Sequence, residues 1–169
     1  VAVVQAERVH VHAFGLHDRD DDVDLHVGIG SGMSSVVHRP ETEAQIERIQ
    51  VRSAERWSHE AGIEAIDILK VDVEGLETQV LGSLSHLLPT VKACYLEYDS
   101  REDRRAIAAL FAPTHDLYVG MMFLDQGECI YLRRDIAARP EAGDHLDAIR
   151  SDRAARATAR GQGASTADA

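Results

Sequence analysis

Two cysteines, Cys94 and Cys129, are too few for a disulfide framework, and they do not form the Cys-x-x-Cys pair of redox and zinc sites. Both fall in apolar runs, where reduced core cysteine is the expectation. No run of about 18 apolar residues occurs, so no membrane span is expected. The first residues do not follow the basic-then-apolar order of a secretory leader, and a cytoplasmic location is the expectation. Basic residues are scarce: 18 Lys and Arg against 29 Asp and Glu leave a formal net charge of −11. Phosphate backbones need clustered cations, so nucleic acid is excluded as the main partner. No internal repeat is present.

The 169 residues, 44% apolar and 28% charged, suffice for one globular domain with a real core. The most informative stretch is Ile66-Asp67-Ile68-Leu69-Lys70-Val71-Asp72-Val73-Glu74-Gly75. Its aliphatics do not alternate cleanly, which predicts a strand buried on both faces, as in parallel sheets. The run stops on Asp72, Glu74 and Gly75. In open α/β sheets the ligand crevice lies outside the carboxyl ends of the strands, so charge collected there is well placed for chemistry.

Upstream, Val9 to Phe14 reads as a strand that puts His10 and His12 on one face and ends at Gly15-Leu16-His17-Asp18. No third ligand is placed beside these histidines, and a polar strand face is the reading. Val23 to Val27 is a second strand. Gly28 to Ser35 is a loop without P-loop or Gly-x-Gly-x-x-Gly spacing, mobile over a substrate in its functional reading. Glu47 to Val51 is a further strand. Ser53 caps a helix from Ala54 to Ala61, ended by Gly62, with Trp57 as a core anchor.

Downstream of the central run, Leu76, Val80, Leu81, Leu84, Leu87 and Leu88 form a helical stripe closed by Pro89. Gly75 marks a tight turn or a close backbone approach. Ala93 to Leu96 is another buried strand, ending in Glu97-Tyr98-Asp99. Ser100 and Asp103 start a helix over Arg101 to Phe111. Leu117 to Phe123 and Cys129 to Arg133 form an antiparallel hairpin. Residues 1–134 are thus expected to form the domain. Residues 135–169, rich in Ala, Arg, Asp, Gly, Ser and Thr, are expected to be a low-complexity, disordered tail, with a frayed helix as the competing option. The element order is that of an α/β protein with a parallel core and an antiparallel C-terminal hairpin.

The stretch Asp67 to Gly75, followed by Leu76-Glu77 and Val80-Leu81-Gly82, resembles the signature of the FkbM family of S-adenosylmethionine-dependent methyltransferases. The resemblance covers roughly Val9 to Arg134. It implies an incomplete class I methyltransferase Rossmann-like fold and O-methylation of a hydroxyl on a sugar, glycan or natural product. It also implies Gly15 and Leu16 near the cofactor's adenine, with Asp72 at the cofactor as well. The acidic surface serves solubility or the attraction of a cationic sulfonium. The family's glycine-rich cofactor loop after its first strand, and the acid that ends its second, do not occur in this chain. The expectation is therefore a partial chain, inactive alone. The two missing strands would lie between the Val9 and Ile66 strands, and the chain must close that gap or leave two edges unpaired.

Methyl transfer to an oxygen needs attack geometry and removal of the acceptor's proton. Asp72, Glu74 and Glu97 end neighbouring strands, and one of them is the candidate base. Lys70, of the same strand parity as Asp72, keeps it ionised or orients the substrate. Carboxylates at strand ends also cap helices or pair with nearby cations, which is the non-catalytic reading. Two other functions stay open. One is a non-catalytic remnant or interaction module that binds a partner through an exposed sheet edge. The other is a divalent-metal site of an unrelated hydrolase built from Asp72 with Glu74 or Glu97, for which the sequence adds no separate support.

Overall fold

A computed structural model describes residues 9–28, 34–35, 44–73, 75–149 and 151. They form two four-stranded sheets with helices between and against them. The first sheet holds β1 (Gly15–His17), β2 (Asp21–Gly28), β3 (Ser34–Ser35) and β4 (Ala44–Ser53) in the order β1-β4-β2-β3. β2 and β4 pair antiparallel from Asp21↔Val51 to Gly28↔Ala44, and β1 runs parallel to β4. Within that ladder Asp24 faces Arg48, whose guanidinium donates to the carboxylate at 2.9 Å.

Helix α1 (Ala54–Glu60) continues directly from β4. The Ser53 hydroxyl accepts from Arg56 N at 3.3 Å, and Gly62 follows at φ +66, so both helix ends follow the sequence signals. The second sheet comprises β5 (Ile68–Val71), β6 (Ala93–Tyr98), β7 (His115–Met122) and β8 (Gly127–Arg133), ordered β5-β6-β8-β7. β5 and β6 are parallel. β8 inserts between β6 and β7 and is antiparallel to both, which gives the expected hairpin.

One face of this sheet is covered by α2 (Glu77–Ser83) and α3 (Arg101–Phe111). Leu81, Ile107 and Phe111 pack there on Val71, Cys94, Leu96, Tyr98, Cys129 and Tyr131. Each large apolar side chain so buried contributes about 1.5–3 kcal/mol. Phe111 and Tyr131 stack at 4.6 Å between ring centres. Ser100 caps α3 by accepting from Asp103 N at 3.0 Å. A second cluster of Ala54, Val80, Leu84 and Leu87, with Leu16, Ile63, Ile66 and Val73 against it, joins α2 to α1 and β1. It is the hydrophobic bond between the two sheets.

Several expectations change. The central run is not buried on both faces: β5 is an edge strand, Ile68 is 69% exposed and Lys70 is exposed beside it. β6 likewise alternates, with Tyr95 45% exposed. The reason is topological, since among the described residues nothing pairs with the outer edge of β5 and no helix covers that face. The strand expected over Val9 to Phe14 begins only at Gly15, where pairing with Val51 starts, and Val9 and Val11 are exposed. His10 and His12 therefore share no strand face. Trp57 is half-buried among Phe14 and His12, not deep in the core.

The stripe from Leu76 to Leu88 is buried throughout, but α2 ends at Ser83. A turn and a short 3₁₀ segment, Leu88–Thr90, which contains Pro89, carry the rest. Of the segment expected to be a tail, α4 (Arg134–Ala137) and residues 140–149 are helical, and residues 152–169 lie outside the described residues. Most of the loop expected over Gly28 to Ser35 also lies outside them. No helix among the described residues is long and apolar enough to cross a membrane.

His115, 3% exposed, packs edge-on to Phe111, and its Nε2 donates to the Val91 carbonyl at 2.8 Å. That bond fixes Nδ1 as the acceptor for the Thr114 hydroxyl, also at 2.8 Å. Burial pushes the imidazole's pKa down, and the neighbouring Arg133 and Arg134 charges push the same way. The unfolded chain takes up this proton near its ordinary value of about 6.5, the folded chain only at lower pH. Stability from His115 is therefore complete above about 6.5 and lost as pH falls below it. The urea midpoint should drop between about pH 7.5 and pH 5, and His115→Gln should remove part of that drop; an unchanged drop in the variant would assign it to other groups.

Candidate functional site

The parallel pairing of β5 with β6 brings two carboxyl ends to one rim of the second sheet. β5 ends at Val71 and delivers Asp72; β6 delivers Glu97, Tyr98 and Asp99. Lys70 Nζ donates to Asp72 Oδ2 at 2.7 Å. The hydrogen bond to Asp72 raises the Lys70 pKa, helped by the charge of Asp72 and, more weakly, by Glu97 and Glu128. Glu97 and Glu128 face each other directly across the β6–β8 ladder. Like charges so placed disfavour a sheet, and Lys70 is the cation that offsets them. The Lys70–Asp72 pair is open to solvent, where such pairs add little stability, so stability does not account for it.

Lys70, Glu97 and Glu128 border an open cleft of about 480 Å³ on the uncovered face, whose walls also include Tyr95, Met121 and Ile130. Its mixed lining of carboxylates, one ammonium, a phenol and aliphatics suits a polar ligand with an apolar edge. On the opposite, helix-covered face, the Tyr98 hydroxyl donates to the Phe123 carbonyl at 2.7 Å. Gly127 lies beneath it, where a Cβ would come within 2.7 Å of that oxygen. Any side chain there would displace the tyrosine.

The loop between β5 and α2 has its own support. Gly75 takes φ +105, a conformation that costs other residues strain. Glu77, 3% exposed, accepts from Val73 N at 3.1 Å and from Gly75 N at 3.1 and 3.3 Å. Its carboxylate thus ties down the backbone on both sides of position 74 from the first turn of α2, an end of the helix that favours negative charge. Sequence reasoning gave Glu77 no role. The signal was available: a charged residue inside an otherwise apolar stripe, between Leu76 and Val80.

Of the residues singled out in the sequence, Lys70, Asp72 and Glu97 share this rim. Glu74 lies outside the described residues. Gly15 and Leu16 are not at the rim: both sit in β1 of the other sheet, Gly15 against Val51 and Leu16 against the Val80–Leu84–Leu87 cluster. Among the described residues β1 and β5 are the edge strands of their two sheets and do not pair with each other. Cys94 and Cys129 are free and buried, and burial pushes their thiols up to about 12 and about 11. Neither is a nucleophile at neutral pH. Among the described residues Asp72 and Glu97 belong to no group of three potential metal ligands.

Glu77→Ala should cost about 1–3 kcal/mol, because two partly buried amide hydrogens lose their acceptor. Urea denaturation checks the loss, and amide exchange at Val73 and Gly75 should rise with it. A variant as stable and as protected as the parent would remove Glu77 from this role.

Residues 4–148 match the methyltransferase FkbM domain. The chain is 27% identical over 111 residues to the 2-O-methyltransferase NoeI of Sinorhizobium fredii (strain NBRC 101917 / NGR234). That match covers 57% of this chain and 46% of the relative, so the chain spans about half the length of the curated relative it matches. No solved structure matches it. With 4–148 matching the domain, the chain belongs to the FkbM methyltransferase family.

Proposed function

We propose that this chain carries the acceptor-side part of an S-adenosylmethionine-dependent O-methyltransferase with a Rossmann-like sheet, acting on a hydroxyl of a sugar, glycan or natural product. The observation that carries this reading is the Lys70–Asp72 pair at the end of β5, whose lysine lines an open cleft of mixed polar and apolar character together with Glu97. Family membership and the O-methyltransferase relative support the reaction class. That β1 and β5 are edge strands among the described residues supports the incomplete sheet, because two further parallel strands inserted between them would join both sheets into one.

Bound S-adenosylmethionine supplies an electrophilic methyl group on a sulfonium. The described residues suit only the reacting end of that molecule, through the acidic rim of Asp72, Glu97 and Glu128. No described residue supplies a glycine-rich turn or an acid for the ribose, and Gly15 and Leu16 serve packing in β1. What this chain's own groups do is hold the acceptor. Asp72 takes the proton of the acceptor hydroxyl as the oxygen attacks, and the two ammonium hydrogens of Lys70 not given to Asp72 orient neighbouring oxygens. Glu97 is the second acceptor of hydroxyl hydrogens on the same rim.

Transfer of a labelled methyl group to oligosaccharide acceptors tests the reading. In the protein encoded by the whole reading frame, Asp72→Asn should lower turnover by about 10²–10⁴-fold with an unchanged melting temperature; full turnover in that variant would sink the assignment. The 169-residue chain alone should show no S-adenosylmethionine binding by calorimetry, and micromolar affinity would overturn the half-site reading. A folded protein encoded by the whole reading frame that neither binds the cofactor nor transfers methyl would favour the alternative, a non-catalytic interaction module.

A further inference from the structure

Far from the rim, at the other end of α2, Glu55, His59 and His86 converge. Glu55 and His59 stand one turn apart on α1, so their side chains leave the same face of the helix. His86 comes from the turn that follows α2. One ligand atom from each of the three lies within 4.8 Å of the others. The two imidazoles stack at 4.8 Å between centres and 17° between planes. The backbone beneath is held in place independently: the Ser83 hydroxyl accepts from Glu55 N at 2.9 Å, and the Ser58 hydroxyl donates to the Glu55 carbonyl at 2.7 Å.

We propose that Glu55, His59 and His86 form a binding site for a divalent transition metal, zinc being the first choice. Two neutral imidazoles and one carboxylate are a borderline-soft donor set of the kind zinc, nickel and copper take, with water completing a tetrahedron. Around zinc, bonds of about 2.1 Å bring ligand atoms to about 3.4 Å from one another. All three side chains are exposed, so rotation about their own bonds closes the remaining distance without moving the backbone.

The location gives the site a consequence. α1 is continuous with β4 of the first sheet, while α2 and its following turn belong to the second. Among the described residues the two sheets share no ladder, and apolar packing between α1, α2 and β1, with the Glu55–Ser83 hydrogen bond, joins them. A metal held by α1 and His86 bridges that joint with coordinate bonds, and binding to the folded state alone raises its stability by mass action.

Zinc titrated by calorimetry into the untagged, metal-stripped protein should bind one equivalent and raise the melting temperature, reversibly with EDTA. Cobalt(II) should give the visible absorption of a tetrahedral site. His59→Ala and His86→Ala should each weaken binding by more than the roughly tenfold to hundredfold loss known for outer-shell substitutions. Glu55→Gln should weaken it less. His10→Ala, which alters a histidine outside the site, should leave it unchanged. The metal-free melting temperatures of all variants should equal that of the parent, since the altered side chains are exposed. Absence of binding, or binding that survives the His59→Ala and His86→Ala changes together, would overturn the site.

Discussion

Helix α2 and the turn that follows it face two hydrophobic clusters at once. Leu81 and Leu88 point with α3 into the core of the second sheet, while Val80, Leu84 and Leu87 turn toward Ala54 and Leu16 of the first. A seven-residue helix is too short to persist in water by itself, so this double burial is what maintains it. In return it sets the angle between the sheets and the position of the loop that precedes it. Glu77 extends that dependence into polar chemistry, because a buried carboxylate is tolerated only where its hydrogen bonds are met, and the donors that meet them are the amides of the β5–α2 loop. The rim carrying Asp72 therefore inherits its geometry from apolar contacts on the far side of the helix.

The rim itself is arranged for charge, not for stability. Glu97 and Glu128 oppose each other on adjacent strands, a pairing that a sheet selected only to persist would avoid. Lys70 lies between these groups and Asp72, near enough to respond to all three. Concentrations of like charge around one cation at strand ends are a feature of sites that handle polar ligands. The same groups keep the exposed edge of the short strand β5 from presenting a purely apolar ribbon to another chain.

Much of this was legible in the sequence. The caps at Ser53 and Ser100, the turn at Gly75, the hairpin of β7 and β8, and the meeting of Lys70, Asp72 and Glu97 all follow from local rules that the folded chain obeys. Three things were not legible, each for a physical reason. An unbroken aliphatic run such as Ile66 to Val71 reports what a strand is suited to pack against, not whether a neighbour is there, so the exposure of Ile68 escaped the pattern. Val9 to Phe14 has the composition of a strand, but a strand forms only where a partner edge continues, and β1 meets β4 only from Gly15 onward. The convergence of Glu55 and His59 with His86 needs the fold itself, since an i, i+4 pair on one helix says nothing of a third group many residues away.

Each sheet is drawn from one uninterrupted stretch of chain, the first from Gly15 to Ser53 and the second from Ile68 to Arg133. No ladder partner is therefore drawn from the other sheet's stretch, and closing one sheet does not wait on the other. The second sheet with α2 and α3 has the makings of a cooperative unit that assembles on its own timescale, with the first sheet docking onto it later through α1. Local opening at that joint would separate the sheets while leaving every ladder intact, so the order of assembly and the order of opening both follow from how the sequence is parcelled between them.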